Sequence, residues 1–266
     1  MKISDSREEV IALKKDSIRF LNNTLEYYIN NGNLRKAQLI SKWIKEFSNY
    51  VRFEEKFNPT RNIAYKRGDI VKVNFGFNVG SELGGVHYAV VVENENRHYA
   101  NTLVVIPMSS VKSDSKIHPH DLLIGSEFYS TLKTSVEAKH KANVLETKRI
   151  SHLLEVLQKT LIPLQDASQL NGTSISAATI LELKTQAATL KKEQDELSEK
   201  NSFVDKSLTE LELMKTGSVL KVKQIRAISK LRIWDPKRTQ DILYGIHLSD
   251  NTMDKVNRKI IELFTH

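Results

Sequence analysis

In Gly80-Ser-Glu-Leu-Gly-Gly-Val-His-Tyr-Ala-Val-Val-Val92 a polar, glycine-bearing loop runs straight into strand-forming residues, and a histidine, His87, stands at the join. Imidazole ordinarily titrates at a pKa of ~6.5, so such a residue can take or give a proton near neutral pH. The loop glycines Gly80, Gly84 and Gly85 let backbone N–H groups approach a phosphate or a base closely. A second candidate closes the apolar run Val104-Val-Ile-Pro-Met108, where Ser109 and Ser110 offer hydroxyls. His118 and His120 face one side of an extended segment, but Pro119 intervenes and no third ligand is evident, so the pair does not define a metal site. The sequence has no cysteine, which excludes a thiolate nucleophile, a cysteine zinc site and a disulfide framework, and fits a reducing compartment.

The elements that must position these residues alternate in texture. The 266 residues are 40% apolar and 27% charged, the composition of a chain that folds into about one or two domains. Ile11, Ile18, Leu21, Leu25 and Tyr28, then Ala37, Ile40, Ile44, Phe47 and Val51, follow helical spacing around an Asn31-Gly32-Asn33 turn, so a helical hairpin is expected up to the Asn58-Pro59-Thr60 break. Strand-type segments follow at Ile70–Phe75, Tyr88–Val92, Thr102–Met108 and Asp121–Ile124. Residues 130–216 turn helical, with Ile150, Leu154, Leu157, Leu161 and Leu164 in the first half. In the second half Leu183, Leu190, Leu197, Val204 and Leu211 fall seven apart, beside a half-polar row Ala187, Gln194, Asn201, Leu208. This seam packs against the first half folded back at Gln169–Ser174, or against another chain; one long helix lying on the β core is the alternative. Strand texture returns at Ser218–Lys223 and Arg232–Trp234, and a helix capped by Ser249 or Asp250 closes the chain with Met253, Val256, Ile260, Ile261 and Phe264 on its apolar side.

Charge is uneven: residues 1–66 hold 13 Lys and Arg against 8 Asp and Glu, and residues 217–266 hold 10 against 5. A positive excess at both ends suits a polyanion such as nucleic acid, or is simply a soluble surface. The first residues carry acids and no apolar signal-type stretch, and nowhere do ~18 apolar residues run together, so the expected location is the cytoplasm, with no membrane partner.

Lys66-Arg-Gly-Asp-Ile-Val71, the GSELGGV loop at 80–86, and Val104–Ser109 resemble the first half of the MazF/PemK family of toxin endoribonucleases. Ser218–Ser229 resembles the strand segment that opens the family's second half, and Leu248–Val256 its closing helix. The resemblance implies an α+β fold: a small SH3-like β-barrel of residues 65–127 and 217–266 with a C-terminal helix, usually a homodimer. The N-terminal hairpin, 1–64, and the coiled-coil-like helical insertion, 128–216, lie outside it.

The same resemblance implies the toxin of a toxin–antitoxin pair, cutting single-stranded RNA without metal or cofactor. The ribose 2′-OH attacks its own phosphate and leaves a 2′,3′-cyclic phosphate and a 5′-OH. Residue by residue, His87 stands where the family has an arginine and Ser109 where it has a threonine, with Ser110 as rival; these two are the expected catalytic residues. Imidazole cannot make the bidentate fork of guanidinium on phosphate, but it can exchange protons. Ser81, Glu82, Gly84 and Gly85 match the substrate loop, Glu82 either orienting His87, accepting from a base edge or facing water. Gln224 and Arg226 match positions on the later strand near the RNA groove, where Arg226 can supply the charge a neutral His87 lacks. Arg67-Gly-Asp69 reads as a structural turn with Asp69 holding backbone donors. The alternative function is a catalytically inactive RNA-binding or protein-assembly module.

Overall fold

The computed structural model describes residues 6–111, 117–170 and 177–265. The front hairpin forms as α1 (Arg7–Asn30) and α2 (Leu34–Glu54). Ser6 caps α1 by accepting the Glu9 N–H at 3.5 Å, and Glu8 and Glu9 place negative charge at the helix N-terminus. The chain reverses at Gly32, whose φ of +76° only glycine adopts readily.

Seven short strands then build one antiparallel sheet: β1 (Ile70–Asn74), β2 (Val86–Val91), β3 (Thr102–Ser110), β4 (Leu122–Gly125), β5 (Ser218–Leu220), β6 (Arg226–Ser229) and β7 (Ile233–Asp235). Their order is β4-β5-β3-β2-β1-β7, with β6 also on β3, so strands from both sides of the long helical segment share one sheet. This gives an α+β fold. The path is open: among the described residues no ladder joins β4 to β7, so the sheet does not close into a barrel.

The strand texture expected at Ser218–Lys223 ends earlier, and the strand segment Ser218–Ser229 is interrupted. A 3₁₀ turn at Val222–Gln224 splits it, β5 pairing Met108–Ser110 and β6 pairing Thr102–Val105. Gln224 therefore sits in the turn and not on a strand.

Alternation along the strands sorts the apolar side chains into two cores. On one face Tyr65, Val71, Val73, Phe75, Ala89, Val91, Leu103, Val105, Ile228 and Ile233 pack together, drawn from β1, β2, β3, β6, β7 and the residues on either side of β1. On the other, Ile70, Val90, Ile106, Met108 and Leu220 meet Met253 and Val256 of α5 (Asp250–Phe264). Phe128, Leu132 and Val136 at the start of α3 (Glu127–Leu170), and Val204 and Leu211 near the end of α4 (Ala177–Leu213), join this second core. Ser249 caps α5 through the Thr252 N–H at 3.4 Å, and Glu127 at the start of α3 accepts the Ser249 N–H at 2.6 Å and the Thr252 hydroxyl.

Residues 130–216 thus fold as two helices that pack on each other, in place of one long helix. Leu197, Val204 and Leu211 of the seam are buried, with Ile150 on the facing helix. In the half-polar row Asn201 Nδ2 donates to Thr147 Oγ1 at 3.4 Å, and outside it Arg149 meets Glu193 across the helices at 3.6 Å. The side chains of Leu161 and Leu164 and the turn residues 171–174 fall outside the described residues. Among the described residues no helix is long and apolar enough to cross a membrane.

Candidate functional site

The loop between β1 and β2 is held by its own backbone. Phe75 N–H donates to Gly85 O at 2.8 Å, Gly85 N–H to Gly76 O at 2.6 Å, and Asn78 Nδ2 to Leu83 O at 2.7 Å. Gly84 and Gly85 are both required as glycine. Gly85 has φ +88°, and a Cβ on Gly84 would lie 2.7 Å from the Gly76 carbonyl oxygen, a distance no side chain tolerates against backbone.

Gln224 clasps this loop across 141 residues of sequence. Its Oε1 accepts the Leu83 N–H at 2.6 Å and its Nε2 donates to Ser81 O at 3.2 Å. The same amide oxygen accepts from Arg226 Nη2 at 3.2 Å, and the guanidinium lies 5.3 Å from the Phe75 ring centre. Ser81 and Gln224 are thus joined directly, and Arg226 is tethered to them.

His87 is the second residue of β2, half-buried, opposite Val73 of β1. Its Nε2 lies 3.0 Å from Gly84 O. A carbonyl can only accept, so Nε2 carries the proton there and a neutral ring keeps Nδ1 as the acceptor. The ring nitrogen is therefore fixed by the loop backbone and not by Glu82, which is exposed.

The β2–β3 ladder ends at Ala89 opposite Pro107, a residue without an N–H. Continuing that register by two residues on each strand sets His87 across from Ser109. His87 lies on the Ala89–Val91 face, Ser109 on the Leu103–Val105 face and Arg226 on the Ile228 face, and these are all the first core's face of the sheet. Ser110 alternates to the opposite side and is exposed. The sheet thus aligns His87, Ser109 and Arg226 along one face, beside the Gln224-bound loop.

The turn before β1 follows expectation. Asp69 Oδ2 accepts the Lys66 N–H at 2.8 Å, while burial pushes its carboxyl up from the usual range against the lowering effect of that bond. Arg67 donates to Val92 O and to Asn257 of α5, closing the turn onto the closing helix. His118 and His120 lie 4.7 Å apart between ring centres, and among the described residues no group of three potential ligands gathers around a metal-sized site.

Sequence reasoning missed the clasp of Gln224 and the part of α2. Trp43 packs so tightly on Gly76 that a Cβ there would lie 2.6 Å from its ring, and the Arg232 guanidinium sits 5.2 Å from the Trp43 ring centre. Asn74 Nδ2 donates to Glu46 of α2 and to Tyr50 OH, the latter at 3.3 Å. A lone tryptophan beside basic residues was the available signal.

The α+β sheet thus sets a glycine loop beside a histidine, a hydroxyl and an arginine. Residues 66–167, from the start of the Arg67-Gly-Asp69 turn into α3, match the family described as PemK-like, MazF-like toxin of type II toxin-antitoxin system. The match covers 102 of the 266 residues and is a likeness of that segment. No curated protein matches it significantly.

Proposed function

We propose that the protein is the toxin of a type II toxin–antitoxin pair and acts as a metal-independent endonuclease on single-stranded RNA. What supports this is the β2–β3 register, which, continued two residues past its last pair Ala89–Pro107, brings His87 toward Ser109 on the face that also bears Arg226. The matched family supports the toxin assignment, and transesterification by the ribose 2′-OH is the chemistry that the sequence resemblance implies.

In this reading His87 Nδ1 accepts the 2′-OH proton as the 2′ oxygen bonds to phosphorus, and the Gly84 carbonyl holds the tautomer that makes Nδ1 basic. The P–O5′ bond breaks, and the 5′ oxygen takes up a proton as it leaves. The Ser109 hydroxyl and the Arg226 guanidinium face the negative charge gathering on the phosphoryl oxygens. Ser81, Glu82, Gly84 and Gly85 border the RNA, with Gln224 shaping the loop that meets it. No metal or cofactor is needed, because proton transfer and charge stabilisation come from side chains.

We read residues 65–127 and 217–266 as one SH3-like, incompletely closed barrel, with 1–64 as a front hairpin and 128–216 as an insertion. The first core, shared by five strands, supports this. A homodimer, a cognate antitoxin covering the loop face and a cytoplasmic location complete the proposal. The test is digestion of a mixed RNA in excess chelator, with end-group analysis. Cleavage to 2′,3′-cyclic phosphate and 5′-OH ends, lost in His87→Ala and Ser109→Ala, is expected; binding without cleavage would identify a binding module instead.

A further inference from the structure

The N-terminal hairpin does not sit apart from the loop. Between α2 and residues 74–86 lies a hollow of about 480 Å³ lined by Arg35, Lys42 and Trp43 on the helix side and by Asn74, Phe77 and Glu82 on the loop side. A second hollow of about 730 Å³ adjoins it, sharing Arg35 and Phe77 and reaching Tyr28 and Lys36 at the hairpin's turn. Each is in the size range of roughly 300–1,000 Å³ in which proteins hold small organic groups.

The wall is firmly built. Asn74 bonds Glu46 and Tyr50, Trp234 Nε1 donates to Tyr50 OH at 3.3 Å, and Arg232 Nε donates to Asn74 O at 2.8 Å. These bonds fix α2 to β1, the strand that leads into the loop, and to β7 beside it. The hollow is therefore a standing feature of the folded chain.

Its chemistry is aromatic and cationic in alternation. Trp43, Phe77 and Tyr28 offer ring surface, while Arg35, Lys36 and Lys42 are exposed cations beside them, with Lys36 Nζ 4.4 Å from the Tyr28 ring centre. Bases of single strands stack on aromatic rings while their phosphates meet arginine and lysine. Of the two carboxylates at the hollow, Glu46 is engaged by Asn74, and Glu82 is exposed and suited to accept from a base amino group.

We propose that the hairpin and the loop together form a binding track for unpaired RNA, in which bases of the substrate strand lie against Trp43, Phe77 and Tyr28, and Arg35, Lys36 and Lys42 hold its phosphates. The proposal rests on the ribonuclease reading above. It extends the RNA contact from the loop onto a part of the chain outside the matched family segment.

The chain has two tryptophans, so Trp234→Phe leaves Trp43 as the only one and makes its fluorescence a local reporter. The probe is a set of 2′-O-methyl RNA hexamers, which cannot be cleaved by 2′-OH attack. Hexamer binding is expected to quench Trp43. Trp43→Ala is expected to weaken binding, followed by anisotropy of labelled hexamers, by about five- to a hundredfold. Because Trp43 also packs on Gly76, the exposed pair Arg35→Ala with Lys42→Ala supplies a second arm that leaves packing intact. It should weaken binding and lower the slope of log affinity against log salt by about 1.4, two phosphate contacts at ~0.7 each. With cleavable RNA, the double variant should raise KM and leave kcat close to the parent's.

If the parent cuts RNA but shows no quench, and the double variant binds and cuts like the parent, the track is wrong and the nuclease reading stands. If the double variant cuts faster, the hairpin covers the loop as a brake, and the track is again overturned. If the parent neither binds nor cuts RNA, both readings fall together.

Discussion

Replacing Gln224 by alanine should loosen the substrate loop without disturbing the sheet. Its amide accepts the Leu83 N–H at 2.6 Å in a partly buried setting, and donates to Ser81 O at 3.2 Å in an exposed one. The first bond is worth about 1 kcal/mol net, with an added penalty if the Leu83 N–H stays buried and unpaired, and the second about 0.5 kcal/mol. The loss of folding stability should then be about 1.5–2.5 kcal/mol, a melting shift of roughly 3–10 °C at this chain length. The cores do not contain Gln224, so the loss should be local. Amide exchange at Leu83 should accelerate by about tenfold or more, while the β3 amides of Val105 and Ile106 keep the protection of the global unfolding limit. Cleavage should fall further than stability, because Arg226 Nη2 also loses the 3.2 Å bond that aims it. Gln224→Glu keeps an acceptor for Leu83 but sets a carboxylate oxygen against the Ser81 carbonyl, so it should retain Leu83 protection and lose Ser81 ordering. Unchanged exchange at Leu83 in Gln224→Ala would refute the clasp.

His87→Ala should lower the cleavage rate by about 10²–10⁴, and Ser109→Ala by about 10²–10³, with melting unchanged within a few degrees; Ser110→Ala, on the other face, should cut like the parent. Gly84→Ala drives a Cβ to 2.7 Å from Gly76 O, so the loop must shift and cleavage be lost while strand exchange protection persists. Burial raises the Glu127 carboxyl, but the Ser249 N–H, the Thr252 hydroxyl and Lys255 outweigh it, leaving it below its ordinary range. A depressed native pKa stabilises above the unfolded value and is lost as pH falls through the native one. The melting temperature should therefore drop on acidification below about pH 4.5, and less steeply in Glu127→Gln. Asp235 has the opposite sign: burial raises it despite the Leu243 N–H, so Asp235→Asn, which keeps that acceptor, should melt no lower than the parent at pH 7 and lose an advantage only in acid. Excising 130–214 removes Leu132, Val136, Val204 and Leu211 from the second core at about 1.5–3 kcal/mol each, comparable to the whole stability of a domain. That variant should be insoluble or unfolded, while excising 152–196 with a short linker should leave the melting and cleavage of the rest intact.

What was legible in the sequence follows the range of the interactions. His87, Ser109 and the loop glycines belong to contiguous motifs, and a strand fixes its side chains' faces by alternation, so their shared face was within reach of local reading. Gln224 takes its strand position beside RNA from the resemblance alone, and nothing local announces that its amide is spent on a loop 141 residues upstream. Trp43 escaped for a different reason. Helical periodicity picked out Ala37, Ile40, Ile44, Phe47 and Val51, one row of α2, whereas Trp43 contacts the loop at Gly76 from off that row. A single 3.6-residue period finds one partner face and is blind to a second. The insertion makes the same point from the other side. Its heptad row located a helical partner, yet the row continues through Val204 and Leu211 into the sheet's own core. The change of texture near residue 128 marks where secondary structure changes, while the energetic boundary lies farther along the helices, because Phe128, Leu132 and Val136 help fill the core that α5 closes. The outer helical pair is thus carried on a root shared with the sheet and α5, and the same core holds Met108 of β3, the neighbour of Ser109.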